Sequence, residues 1–240
     1  NSALEWNYGY GGGIYIDGGI VDRCRIVTNI CRGPFGGGGV YLAAGRVQNC
    51  LIVRNVATRS PDNQAAGGGV RIVSGLLLNC TLADNWALNR GGGLYVGGGA
   101  VSNCIVYGNR VSGQVPADFA NVYRPAGGTV DYSCLSPVVA GTGNLDLDPQ
   151  FAAPASGDYH LLPGSPCIDS GANVAGLEAD LDRGPRPRDG DGEGSAVQDM
   201  GSYELAEPGS QPFTCNFVTP TNEAIQTLTA AFTVCPAGPD

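Results

Sequence analysis

The chain has 240 residues, among them 39 glycines and 16 prolines, and 42% of it is hydrophobic, which supplies a buried core and excludes a disordered or collagen-like chain. Its net charge is −9, its 13 basic residues are all arginine, and this balance sets nucleic acid aside as a partner. No apolar run of about 20 residues is present, which sets aside membrane insertion by a helix, and no signal peptide or initiator methionine opens the sequence.

Charge is unevenly placed. Residues 1–134 hold ten arginines against seven acids, 135–205 three arginines against twelve acids, and 206–240 three acids and no base. These boundaries coincide with a repeat, a capping region and a tail. The repeat is marked by glycine triplets at 11–13, 37–39, 67–69 and 91–93, each followed thirteen residues after its first member by a cysteine: Cys24, Cys50, Cys80 and Cys104. Five residues after each cysteine stands an asparagine (Asn29, Asn55, Asn85, Asn109).

Within each unit the residues after the triplet alternate. Ile14, Val40, Val70 and Leu94 are followed two positions on by Ile16, Leu42, Ile72 and Val96, as in a strand with one buried face. Val21, Val47, Leu77 and Val101 then precede the cysteines by three residues. Two inward residues at that spacing require a bend between them. Asn49, Asn79 and Asn103 stand just before three of the four cysteines, and asparagine tolerates a left-handed corner; Arg23 is the fourth. Units of 24 to 30 residues with this pattern cannot bury their own apolar face and must stack. The sequence therefore predicts an all-β chain, a right-handed parallel β-helix of about five coils over 1–134. An interior cysteine column is expected of Cys24, Cys50, Cys80, Cys104 and Cys134. The last breaks the spacing, since Asn121 stands where its triplet should begin.

Residues 1–134 resemble the right-handed parallel β-helix proteins of bacterial cell surfaces. "GNLDLDPQFAAPASGDYHLLPGSPCIDSG" (143–171) with "DLDRGPRPRDGDGEGSAVQDMGSYE" (180–204) resembles the choice-of-anchor Q region that closes such helices. "FTCNFVTPTNEAIQTLTAAFTV" (213–234) is similar to the first two strands of a PKD-type immunoglobulin-like domain. The resemblance implies export and attachment at the cell surface and names no activity. Polysaccharide lyases and hydrolases share the fold but need clustered acids, and here only Asp17 and Asp22 lie close on one rung. The chain is read as no enzyme, with a lyase or hydrolase as the third reading.

Candidate ligand residues are few. The outward tyrosines Tyr15, Tyr41 and Tyr95, interrupted by Arg71, either face sugar rings of a polysaccharide or simply cover a flat sheet. The single histidine, His160, alternates with Tyr159 and Leu161 as ordinary packing does. "DGDGEG" (189–194) is either a calcium turn formed by Asp189, Asp191 and Glu193 with Asp199, joined by Asp180 and Asp182, or a solvated acidic turn.

The tail carries two alternating stretches whose apolar members include Phe213, Phe217, Leu228, Phe232 and Val234, with Cys215 and Cys235 placed to form a disulfide worth ~3 kcal/mol. A strand pair without a domain needs a partner. Asn1 falls on the asparagine column, so the chain is expected to start at an uncapped coil boundary. Together these features point to a structural extracellular protein that polymerises head to tail, the tail of one copy packing on the β-helix of the next. The alternative is a monomeric adhesin or carbohydrate-binding stalk.

Overall fold

A computed structural model describes residues 2–3, 9–58, 66–112, 120–125 and 127–205; Phe213, Cys215, Phe217, Leu228, Phe232, Val234 and Cys235 lie outside the described residues. The repeats form an all-β solenoid of about four turns of stacked parallel strands. Coil 2 shows the path. Val40–Gln48 bends at Gly45 and turns a first corner at Asn49 (φ 49°); Leu51–Val53 turns a second at Arg54 (φ 57°); Val56–Ala57 then leads toward the next triplet. Successive coils stack in register, Val40 on Val70, Val47 on Leu77 and Ile52 on Leu82, and these side chains fill a single core.

The bend inferred from the valine–cysteine spacing lies at the first corner. Arg23, Asn49, Asn79, Asn103 and Tyr132 all adopt φ of 46 to 53° there, and Thr28, Arg54 and Asp84 repeat the conformation at the second. A left-handed residue with a Cβ costs about 1–2 kcal/mol, least for asparagine, so only a stack that needs the corner in every coil sustains it. Cys24, Cys50, Cys80 and Cys104 follow this corner and belong to the core. The backbone N–H of Cys24 donates to Cys50 Sγ, and that of Cys50 to Cys80 Sγ, both at 3.4 Å.

Cys134 departs from the column. It pairs with Ile105, not Cys104, and Ser133 takes the fifth position, its Oγ accepting from Cys104 N at 3.1 Å. A one-residue slip turns a strand side chain to the opposite face, so Cys134 leaves the core and packs outside it. The fifth coil is incomplete, since the chain leaves the stack after Leu135 and Pro137 has no N–H to extend a ladder.

The asparagines five residues beyond the cysteines form the polar spine. Each Oδ1 accepts both the backbone N–H and the Nδ2 of the preceding asparagine: Asn29 to Asn55, Asn55 to Asn85, Asn85 to Asn109, all at 2.9–3.0 Å. Asn109 donates in the same way to Asn121, a residue that replaces the third glycine of a triplet and ends the ladder. The triplets make room for the spine. At Gly68 an added Cβ would sit 2.3 Å from the carbonyl oxygens of Gly92 and Trp86, and at Gly69 2.9 Å from Asn85 Nδ2. Only glycine allows that approach.

Residues 135–205 divide in two. Val139 and Leu145 cover the last coil, Val139 against the core and Leu145 paired to Ser133 and Leu135. Residues 149–205 form a strap along the side of the solenoid, not across its end. It hides the outer face of the sheet containing Leu51–Val53, Thr81–Ala83 and Ile105–Tyr107, burying Leu51, Val53, Ala83 and Ile105 against Tyr159, Tyr203, Leu161 and Met200.

Asn85→Ala would take this partner from Asn55 N–H and Ile52 O, and would leave Asn55 Nδ2 and Asn109 Oδ1 with only their remaining bonds to Ile26 O and to the residue-85 N–H. At about 1–3 kcal/mol for each buried group not rescued by water, the expected loss is on the order of 3–5 kcal/mol, read as a lower urea midpoint at unchanged m. Ser195→Ala, an exposed strap site, is the control and should shift it little.

Candidate functional site

The strap is read by the same corner asparagines that bend the chain. Asn103 Nδ2 donates to Ala172 O (2.7 Å) and its Oδ1 accepts from Ala172 N (2.8 Å); Gln198 Oε1 accepts from both Asn79 and Asn103. One coil lower Asn49 Oδ1 accepts from Arg186 Nη1 at 2.9 Å. Arg186 is fully enclosed. Its Nε donates to Glu204 Oε1 at 2.5 Å and its Nη2 to the carbonyls of Gly201 and Tyr203. Such a buried pair adds directional specificity more than stability, and removing one partner alone leaves a charge without compensation.

Around this junction lies the acidic region. Asp169, Asp189 and Asp191 each offer a carboxylate oxygen, and these oxygens all lie within 4.8 Å of one another. The expected set was Asp189, Asp191, Glu193 and Asp199. Asp169, twenty residues upstream of the loop, stands in place of the last two. Asp199 is turned inward, its oxygens accepting from Asp169 N (2.8 Å) and Leu205 N (2.6 Å), and Glu193 is exposed outside the group. Asp169 reaches the loop by accepting from the N–H groups of Gly190, Asp191 and Val197. Asp180 and Asp182 do not join it: Asp180 ties Gly184 N and Glu204 N, and Asp182 faces His160.

His160 does more than pack. Its Nδ1 lies 2.5 Å from Asp158 and its Nε2 2.8 Å from Asp182, its ring lies 3.9 Å from that of Tyr203, and Arg25 bridges from the first coil to Asp182. Burial pulls the imidazole down, but the two carboxylates outweigh it and hold it above its ordinary value.

On the neighbouring sheet of the solenoid Tyr15, Tyr41, Arg71, Tyr95 and Tyr123 form one outward column. Tyr41 is closed to a sugar ring, being 8% exposed with Tyr10 edge-on at 4.7 Å and Tyr15 stacked at 5.7 Å. Tyr95 has the Arg71 guanidinium over it at 4.5 Å. Tyr15, at 51% exposure, is the open member. Between strap and solenoid, a recess of about 300 Å³ is lined by Asp84, Tyr107, Asp148, Gln150, Phe151 and Tyr159, among others. Tyr159 Oη donates to Asp84 across its floor at 2.7 Å.

Comparison with known proteins finds no matching family model, no matching curated protein and no matching solved structure. The class defined by fold and site is therefore a parallel β-solenoid with a lateral strap.

Asp199 supplies a pH test of the junction. Burial, then the neighbouring Glu204 charge, raises its carboxyl from 3.8 to about 7. A folded-state value above the unfolded one means that the native chain holds the extra proton, so this group's stabilisation is full below pH 3.8 and is lost as pH rises to about 7. Thermal midpoints measured across that window should fall with pH from this group, and Asp199→Asn should flatten that part of the slope.

Proposed function

We propose that this chain is a non-enzymatic, structural solenoid of an extracellular surface protein that assembles head to tail into a filament. The observation that carries the reading is the difference between the two ends of the stack. At the far end Val139 and Leu145 close the last coil. In the first coil Ile14, Val21 and Cys24 are only half-buried, whereas Val40, Val47 and Cys50 stacked on them are fully enclosed. Among the described residues Ile14–Asp22 and Arg25–Val27 are paired along one edge only, and Ile20 is 62% exposed. An open parallel edge of this kind accepts a further strand, and in this proposal residues 213–234 of a second copy supply it. A contact between two different surfaces propagates when its rotation does not close. The arginine-rich solenoid and the acidic strap and tail favour that orientation. Likeness of 143–171 and 180–204 to choice-of-anchor Q, and of 213–234 to a PKD strand pair, supports export and surface attachment.

The same reading places calcium at Asp169, Asp189 and Asp191. Three carboxylates with free lone pairs supply part of the six to eight oxygens that calcium takes, backbone carbonyls and water the rest. Calcium added to the metal-free chain should raise the thermal midpoint, and Asp169→Asn should abolish that rise.

Assembly is tested by negative-stain microscopy and light scattering on residues 1–240, on 1–205, and on full-length Ile20→Glu, with circular dichroism confirming the fold of each. Filaments from the intact chain alone are expected. A monomeric intact chain would overturn the proposal in favour of a stalk, for which Tyr15 offers an exposed sugar-stacking ring.

A further inference from the structure

The described cysteines are all thiols in the structure, and two of them stand apart from the rest. Cys24, Cys50, Cys80 and Cys104 occupy the column, and Cys31 hydrogen-bonds to the Gly36 and Gly9 carbonyls. Cys134 and Cys167 meet each other. Cys134 belongs to the solenoid strand Cys134–Leu135 and Cys167 to the strap; both are completely buried, and both pack in one cluster with Ile105, Leu161, Ile168 and Met200. We propose that Cys134 and Cys167 form a disulfide that fastens the strap to the last coil.

The column cysteines are not equivalent candidates. In register on parallel strands, their Cβ atoms point the same way about 4.8 Å apart, outside the roughly 3.5–4.5 Å that a disulfide spans. The one-residue slip of the fifth coil is what separates Cys134 from them. Ser133 fills the column in its stead, and Cys134 is turned through the sheet toward the strap, where Met200 N, bonded to Cys167 O at 2.9 Å, holds the second cysteine in place.

The step is thiol–disulfide exchange with a small-molecule disulfide such as oxidised glutathione. The Cys134 thiolate attacks one sulfur of the reagent and expels one glutathione thiolate; the Cys167 thiolate then displaces the second glutathione from the mixed disulfide. Two cysteine thiols are oxidised, one reagent disulfide is reduced to two thiols, and the two cysteine protons end on the leaving thiolates. Complete burial of both sulfurs means that exchange precedes the final docking of the strap. The inference rests on the extracellular reading only for the source of oxidant, which the experiment supplies, so it stands or fails independently of assembly.

The full chain is refolded with reduced and oxidised glutathione, alkylated, digested without reduction and analysed by mass spectrometry. No lysine or arginine lies between Arg124 and Arg183, so cleavage at Asp146, Asp148 and Asp158 is needed to separate the two cysteines. The expected product is a peptide pair joined through Cys134 and Cys167, and reduction should lower the thermal midpoint by about 5–10 °C. In a Cys215→Ser/Cys235→Ser background, Cys167→Ser should abolish both the linked pair and the sensitivity to reductant, and Cys31→Ser neither. Recovery of Cys134 and Cys167 as alkylated thiols from the refolded wild type, or linkage of either to another cysteine, overturns the proposal.

Discussion

The whole structure depends on bringing polar backbone from successive coils into contact without water. The asparagine ladder does this: each Oδ1 takes two N–H groups from the coil before, while Nδ2 of Asn55, Asn85 and Asn109 also satisfies a carbonyl of a neighbouring strand, Ile26, Ile52 and Leu82 in turn. The glycine triplets are a consequence of this constraint. Their backbone passes so close to the ladder and to the next coil that a methyl group would overlap main-chain oxygen. The valine, isoleucine and leucine columns provide the hydrophobic drive, and the ladder fixes the register in which they stack.

A second constraint gives the molecule its asymmetry. One sheet of the solenoid is apolar on both faces, as Leu51, Ile52 and Val53 show, and its outer face must be covered. The strap covers it and addresses the second, third and fourth coils at their corner residues, Asn49, Asn79 and Asn103, and the first at Arg25, two residues past its corner. Left-handed corners thus both turn the chain and hold the strap. The acidic group and His160 follow from this docking, since they are formed where strap segments distant in sequence are brought together against one sheet.

The triplet, cysteine and asparagine spacing made the coils legible because a repeated core imposes the same demand at the same interval. The slip at Cys134 was not, although the loss of a triplet at Asn121 marked the place; which of Ser133 and Cys134 enters the column depends on where the chain leaves the stack. The lateral course of the strap was signalled only by outward apolar residues such as Leu51 and Ile105, whereas the outward column of the neighbouring sheet carries Tyr15, Tyr41 and Arg71. Asp169 was out of reach of a local motif, lying twenty residues before the acidic loop. Of the two roles open to the outward tyrosines, Tyr41 takes that of covering the sheet, and Tyr10 and Tyr15, which close it, come from the preceding stretch of chain.

The central proposal is that Ile14–Asp22 and Arg25–Val27, paired along one edge only among the described residues, are completed by a second copy. Amide hydrogen exchange followed by mass spectrometry, at a dilute and at a concentrated condition, tests this most directly. Peptides covering Ile14–Asp22 and Arg25–Val27 should exchange rapidly in the dilute chain and gain protection on concentration, while Leu51–Val53 and Thr81–Ala83 stay protected throughout. First-coil amides whose protection is the same at both concentrations would contradict it.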